Sequence, residues 1–287
     1  VRITNQMMLQ NAMRGLRFNL EAMARAQQES LTGRRVTRVS DDPQSAAKML
    51  QVSAELGDID QYHRNGVTAG VRLTTEDTVL TTINDLVTRA KSLGIDAMAV
   101  DPDGPVNLAT LDELADIREQ IISLGNTKVG NEYIFGGGQT STPPFDNEGN
   151  YLGDADTRHV EIDQGVTTET NHTGDPLFTD VLEGLDELVS SLMTGRSEPV
   201  EAAVSKLDRA RIQIGVAQAE AGNRQQTIND VSMRMTKRTA DLLDQMSSLR
   251  DVDPTEAAVN AVAAQAALER AYSVVGRTLS TDILKYL

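Results

Sequence analysis

Asp253-Pro254-Thr255-Glu256 opens the stretch that decides the fold. Behind it Ala261, Ala264, Leu268, Tyr272, Val275, Leu279 and Ile283 follow in steps of 3, 4, 4, 3, 4 and 4, and the chain ends at Leu287. An Asp that accepts from orphan backbone amides, followed by a Pro that suits the first turn, is a helix-start signal. Steps of three and four place the apolar residues on one helical face. The spacing therefore predicts a helix from Pro254 to the last residue. Its stripe is narrow and rich in alanine, too little for a core of its own, so this helix needs a partner.

The partner is predicted at the other end. Leu9, Met13, Leu16, Leu20, Met23 and Gln27 run in steps of 4, 3, 4, 3 and 4, a near-heptad stripe. Gly33 breaks that helix. Ser40-Asp41-Asp42-Pro43 then starts another, whose stripe runs Met49, Val52, Leu56, Ile59, His63, Gly66, Gly70 and Leu73, resuming from Leu80 to Leu93. Unbroken, it spans some fifty residues, against about 12 for an average globular helix, so it needs a bundle around it. Gly66 and Gly70 mark either close approach to a neighbouring helix or a kink. Asp101 to Pro105 reads as a turn, Thr110-Leu111-Asp112-Glu113 as a capping box, and Leu111 to Leu124 as a third helix.

Composition changes after Gly130. Tyr133-Ile134-Phe135 favours strand, Gly136-Gly137-Gly138 and Pro143-Pro144 are punctuation, and Val160, Ile162, Val166, Thr168 and Thr170 alternate around Gln164-Gly165 as a hairpin would. Five aromatic residues (Tyr133, Phe135, Phe145, Tyr151, Phe178) lie in this region, which predicts a small β-rich insertion with its own core. A short helix from Leu182 to Leu192 follows, closed by Gly195. Then Leu207, Ile214, Ala221, Ile228, Met235, Leu242 and Leu249 recur every seven residues. The companion line Val204, Arg211, Gln218 and Gln225 is mixed, which predicts a long helix in an antiparallel bundle, paired with the one that starts at Pro43. The fold class is therefore mainly α: a coiled-coil-like pair of terminal helices (1–40 and 250–287), a long antiparallel bundle (41–130 and 181–249) and a β-rich insertion (131–180).

Bulk properties narrow the function. The net charge is −15 over 287 residues, which argues against nucleic acid as a main partner. Residues 1–40 run the other way, with seven Arg against two Glu, a net of +5 that leaves −20 for the rest. The absence of Cys excludes disulfides, thiolate catalysis and Cys-ligated zinc. No stretch approaches the roughly 18 apolar residues of a membrane span, and Val1 to Gln6 lacks a signal-peptide core. His63, His159 and His172 show no paired metal-ligand spacing. Asp146 to Tyr151 is a poor match to a calcium loop, with Glu148 and Tyr151 where Asp or Asn and Gly belong. Gly136-Gly137-Gly138 opens no helix and precedes no Lys-Ser/Thr, so it is no phosphate cradle. No catalytic, cofactor or metal site is expected.

Leu31-Thr32-Gly33-Arg34-Arg35-Val36, followed by Ser40-Asp41-Asp42-Pro43, is similar to the N-terminal signature of the flagellin superfamily of axial proteins. A tighter resemblance, to the hook–filament junction branch of that superfamily, rests on Asn126-Thr127-Lys128-Val129-Gly130-Asn131-Glu132-Tyr133-Ile134-Phe135-Gly136-Gly137, Pro144-Phe145 and the Gly149 to Gly153-Asp154 region. Arg2-Ile3-Thr4 to Gln6-Met7-Met8 and Ala266-Ala267-Leu268 to Ser280-Thr281 and Leu287 fit as well. Glu132 stands where the family commonly has Gly. The resemblance covers essentially the whole chain. It implies a structural subunit of the extracellular flagellum, exported unfolded through the type III apparatus without a cleaved signal peptide and held beforehand by an export chaperone. Its partners would be identical subunits in a ring, the first hook-associated junction protein and flagellin. A flagellin-type filament subunit is the nearest alternative; a coiled-coil signalling protein and a helical enzyme are more distant ones. The expected assembly interface comprises Leu9, Met13, Leu16, Leu20 and Met23 on the first helix, and Leu268, Tyr272, Val275, Leu279, Ile283 and Leu287 on the last. The Arg34, Arg35 and Arg38 cluster belongs to it as a bridge to acidic neighbours, or else is a solvated linker.

Overall fold

The computed structural model describes residues 2–100, 107–194 and 197–283, and side chains throughout these except at 2–6, 9, 100, 197, 198 and 278–283. The described residues form α1 (Arg2–Thr32), α2 (Pro43–Val100), α3 (Leu108–Gly125), β1 (Lys128–Val129), β2 (Glu132–Tyr133), β3 (His159–Asp163), β4 (Val166–Glu169), a four-residue α4 (Gly174–Leu177), α5 (Thr179–Thr194), α6 (Ser197–Arg250) and α7 (Pro254–Ile283). The fold is mainly α. Its strands make two small antiparallel pairs, β1 with β2 and β3 with β4. The turn expected at Asp101 to Pro105, the Gly195 stop and the end of the last helix at Leu287 lie outside the described residues. The chain divides into two compact units, one of residues 1–57 and 238–287, the other of residues 58–237.

The second unit holds the main core. Leu80, Ile83 and Val87 of α2 pack with Leu114, Ile117 and Ile121 of α3, Leu185 and Leu188 of α5, and Leu207 and Ile214 of α6. The heptad line of α6 is thus the line that faces inward. Within this unit α2 and α6 run antiparallel: Gly66 meets Ile228, Gln218 donates to Thr81 Oγ1 at 2.9 Å, and Lys91 pairs with Asp208. A Cβ on Gly66 would lie 3.5 Å from Ile228 Cγ2, and one on Gly70 3.3 Å from Gln225 Nε2. The two glycines therefore serve close approach of the helices, and α2 runs through them unbroken.

Two expectations need correction. The aromatic residues of the insertion have no core of their own. Phe135, Phe145 and Phe178 are buried in the same cluster as the four helices, with Phe135 and Phe178 edge to face at 4.7 Å between centroids. The insertion is too thin to enclose three rings, so they fill the space beside α3 and α5. Gly125 accommodates this, since a Cβ there would lie 2.6 Å from Phe145 Cδ2. The cap of α3 is Asn107, whose Oδ1 accepts from Ala109 N at 3.1 Å. Thr110 already sits in the first turn, so the expected capping box does not form.

The two sequence stretches that carry the tighter resemblance touch one another. Asn126 Nδ2 donates to Phe145 O and Asn126 Oδ1 accepts from Phe145 N, both at 3.0 Å. Asp146 Oδ1 accepts from the amides of Glu148 and Asn150 at 2.9 and 2.8 Å, so its carboxylate is spent on closing its own turn.

Candidate assembly surface

The first unit is built on α1 packed against α7. Each helix is started or stopped by local chemistry. Gly33 ends α1 with φ +65°, a left-handed conformation that suits glycine. Asp42 starts α2: Oδ1 accepts from Ser45 N at 3.0 Å and Oδ2 from Ser45 Oγ at 2.6 Å. Asp253 starts α7, accepting from Thr255 N at 2.7 Å. These bonds hold both carboxyls below the usual carboxylate range, Asp42 first through the Ser45 hydroxyl and Asp253 first through the Thr255 amide.

The turn between α1 and α2 is tied to the turn between α6 and α7. Arg35 N and Val36 N both donate to Arg250 O, at 2.8 and 3.2 Å, and Val252 N donates to Gly33 O at 3.0 Å. Arg35 locks this crossing, donating to Asp42 Oδ2 at 3.1 Å and to Leu249 O at 3.0 Å. Its guanidinium is therefore committed within the chain. Arg34 and Arg38 are exposed, and with Arg25, Glu21 and Glu29 they border a cleft of about 460 Å³ beside the turn.

The helix pair is incompletely covered. Leu16 and Met23 of α1, and Leu268 and Val275 of α7, are half-buried. Met13, Leu20 and Tyr272, from the same stripes, are exposed. The side chains of Leu9, Leu279 and Ile283, and all of Leu287, lie outside the described residues. Ala257 is the only fully buried residue among those of α7 whose side chains are described.

A second set of apolar residues lies off the inward stripe. Val259 and Val262 are 62% and 68% exposed. With Ala266 they lie about 140–200° round α7 from Ala257, at 100° per residue. On α1, Met7, Met8 and Phe18 are exposed as well. A helix apolar on opposite sides is normally covered on both, and contiguous exposed apolar surface marks interaction sites. The signal was present in the sequence as Val259, Val262, Ala263 and Ala266, which carry no charge between them.

Comparison with known proteins agrees with this picture of long helices. The bacterial flagellin N-terminal helical region matches residues 3–140. Flagellar hook-associated protein 3 of Escherichia coli (strain K12) is 27% identical over 95% of this chain and 95% of its own. Two solved structures share the fold: FlgL of Bacillus cereus (21% identity, TM-score 0.61) and the flagellar junction protein FlgL of Legionella pneumophila (13% identity, TM-score 0.55). They cover 69% and 72% of this chain, and 99% and 100% of their own.

Proposed function

We propose that the chain is a member of the flagellin superfamily, grouped with the hook-associated protein 3 sequences it resembles, and that it is a structural subunit of the bacterial flagellum, seated at the junction between hook and filament. The observation that carries this reading is the two-sided apolar character of α7. One side faces α1 within the chain and the other, at Val259 and Val262, faces solvent. A subunit that worked alone would gain nothing from that second side. In a ring of identical subunits, neighbouring helices cover it, and burial there holds the ring together.

In this reading the ring joins the first hook-associated junction protein on one side to flagellin on the other. The terminal helices line the assembly. Arg34 and Arg38 reach acidic groups on neighbours, while Arg35 keeps the turn in shape. The subunit leaves the cell through the flagellar type III apparatus, with an export chaperone on its C-terminal part. Its work is adhesion rather than catalysis.

Deleting the gene in its own bacterium and restoring it on a plasmid tests the reading. The expected deletion phenotype is cells with hooks and no filaments that shed unattached flagellin, corrected by the plasmid. Normal filaments on the deleted cells would overturn it, and so would hooks failing to form at all.

A further inference from the structure

Arg72 and Glu76 are the buried charged side chains among the described residues, one turn apart on α2. Both reach the β-rich insertion. Arg72 Nη1 donates to Glu132 Oε2 at 2.6 Å, and Arg158, just before β3, donates to the same oxygen at 2.6 Å. Glu76 meets His172 Nδ1, three residues after β4. On the other side of that ring, His172 Nε2 lies 3.0 Å from Glu220 Oε2 on α6. Arg224 of α6 binds Glu169 of β4. The apolar anchorage of the hairpin is slight by comparison: Ile162 is buried and Val160 half-buried. Charged contacts are therefore a main part of what fastens the hairpin to the bundle.

The geometry around His172 bears on its protonation. A neutral imidazole carries one N–H and one lone pair. Here each ring nitrogen faces a carboxylate oxygen, which suits two donors. Arg224 Nη1 also stands 3.1 Å from Nε2, so a neutral ring could accept from it. That arrangement would leave the carboxylates of Glu76, Glu220 and Glu169 facing Arg224 as the single cation of the cluster. Asp175, which borders a cavity of about 220 Å³ with His172 and Glu220, adds a further acid nearby. We propose that a proton on His172 fastens the β3–β4 hairpin to α2 and α6, so that docking of the hairpin weakens when the imidazolium is lost.

The direction with pH follows. Burial pulls the His172 titration down, but the hydrogen bond and charge of Glu76 and the hydrogen bond of Glu220 outweigh it, with Arg224 opposing, and the result lies above the ordinary 6.5. A raised value contributes stability that is complete below the unfolded value and lost as pH climbs through the folded one. Each unit of elevation weakens docking about tenfold across that window.

Histidine Cε1–H NMR of the full chain between pH 5 and 9 gives the titration directly. Amide exchange of residues 159–169, taken as a ratio to the core amide of Ile117, gives docking. The proposal expects His172 to titrate above 6.5, and the hairpin ratio to fall over the same window. His172→Gln should flatten that pH dependence. Glu220→Gln, at a half-exposed site that leaves the core intact, should lower the midpoint and shift the window with it. Titration of His172 at or below 6.5 overturns the proposal, as does a hairpin ratio with the same pH slope in His172→Gln. Should that variant fail to fold, an unmoved window in Glu220→Gln overturns it equally.

Discussion

Val262→Asp separates assembly from folding most cleanly. Val262 is 68% exposed in the subunit, and Val and Asp have similar helix propensities. The lone chain should therefore change in stability by no more than about 0.5 kcal/mol. At a subunit interface the arithmetic differs. Fully burying a Val side chain contributes about 1.5–3 kcal/mol, and roughly two-thirds of that remains to be gained when a neighbour covers it. Asp forfeits this gain and brings an unpaired carboxylate out of water, at an effective cost of several kcal/mol. A loss of about 3 kcal/mol or more per contact is over a hundredfold in affinity, repeated at every subunit. The assay is twofold. Purified Val262→Asp protein should keep its far-UV helix signal and thermal midpoint, while the variant gene should fail to restore filaments to deleted cells. Asn260→Asp is the control: it adds the same charge two residues away at an exposed polar site, and should restore filaments. Normal filaments with Val262→Asp would refute the assignment of this face. A collapsed helix signal would refute the claim that the lone fold does without it.

Phe178→Ala should destabilise the subunit by about 3–5 kcal/mol, because Phe178 is fully buried between Phe135 and Phe145; urea unfolding against the wild type measures it. Asp42 and Asp253 titrate below the ordinary carboxylate range because they cap helix starts. The stability they contribute is complete above about pH 4 and lost as pH falls through their lowered values. Acid titration by circular dichroism should show a transition below pH 4 that is weakened in Asp42→Ala, and an identical acid limb in that variant would contradict the capping role.

The long helices were legible because their signal is local and repeated. Each of α1, α2, α6 and α7 carries a stripe in steps of three, four or seven, and Asp42-Pro43 and Asp253-Pro254 mark two starts with residues that make the capping bonds themselves. The start of α3 was misread because Thr110 with Glu113 satisfies the pattern of a capping box while Asn107, three residues earlier, makes the actual bond. Gly66 and Gly70 fitted both a kink and a close approach. Only the positions of Ile228 and Gln225, more than 150 residues away in sequence, decide between them. The network around His172 was illegible for the same reason: its partners sit 96 and 48 residues away, and an isolated His announces nothing. On the candidate surface, periodicity located the stripe that faces α1. It passed over the opposite face of α7 because a search for one stripe treats the remaining residues as solvent-facing.

That outward face also explains how much the sequence spends on each part of the chain. In residues 58–237, Leu and Ile side chains from α2, α3, α5 and α6 meet Phe135, Phe145 and Phe178 in the main core. Around the terminal helices the buried apolar residues, among those whose side chains are described, are Ala26, Val36, Ala46, Val52, Leu242 and Ala257, most of them small. Larger apolar residues are present there, but Met7, Met8 and Phe18 are exposed, as are Val259 and Val262. In the proposed ring, neighbouring copies that cover these side chains would stabilise the terminal pair, since whatever binds the ordered pair stabilises it by mass action. The helix that began as a stripe in want of one partner has α1 on its first face within the chain, and its second face is the one proposed for neighbouring subunits.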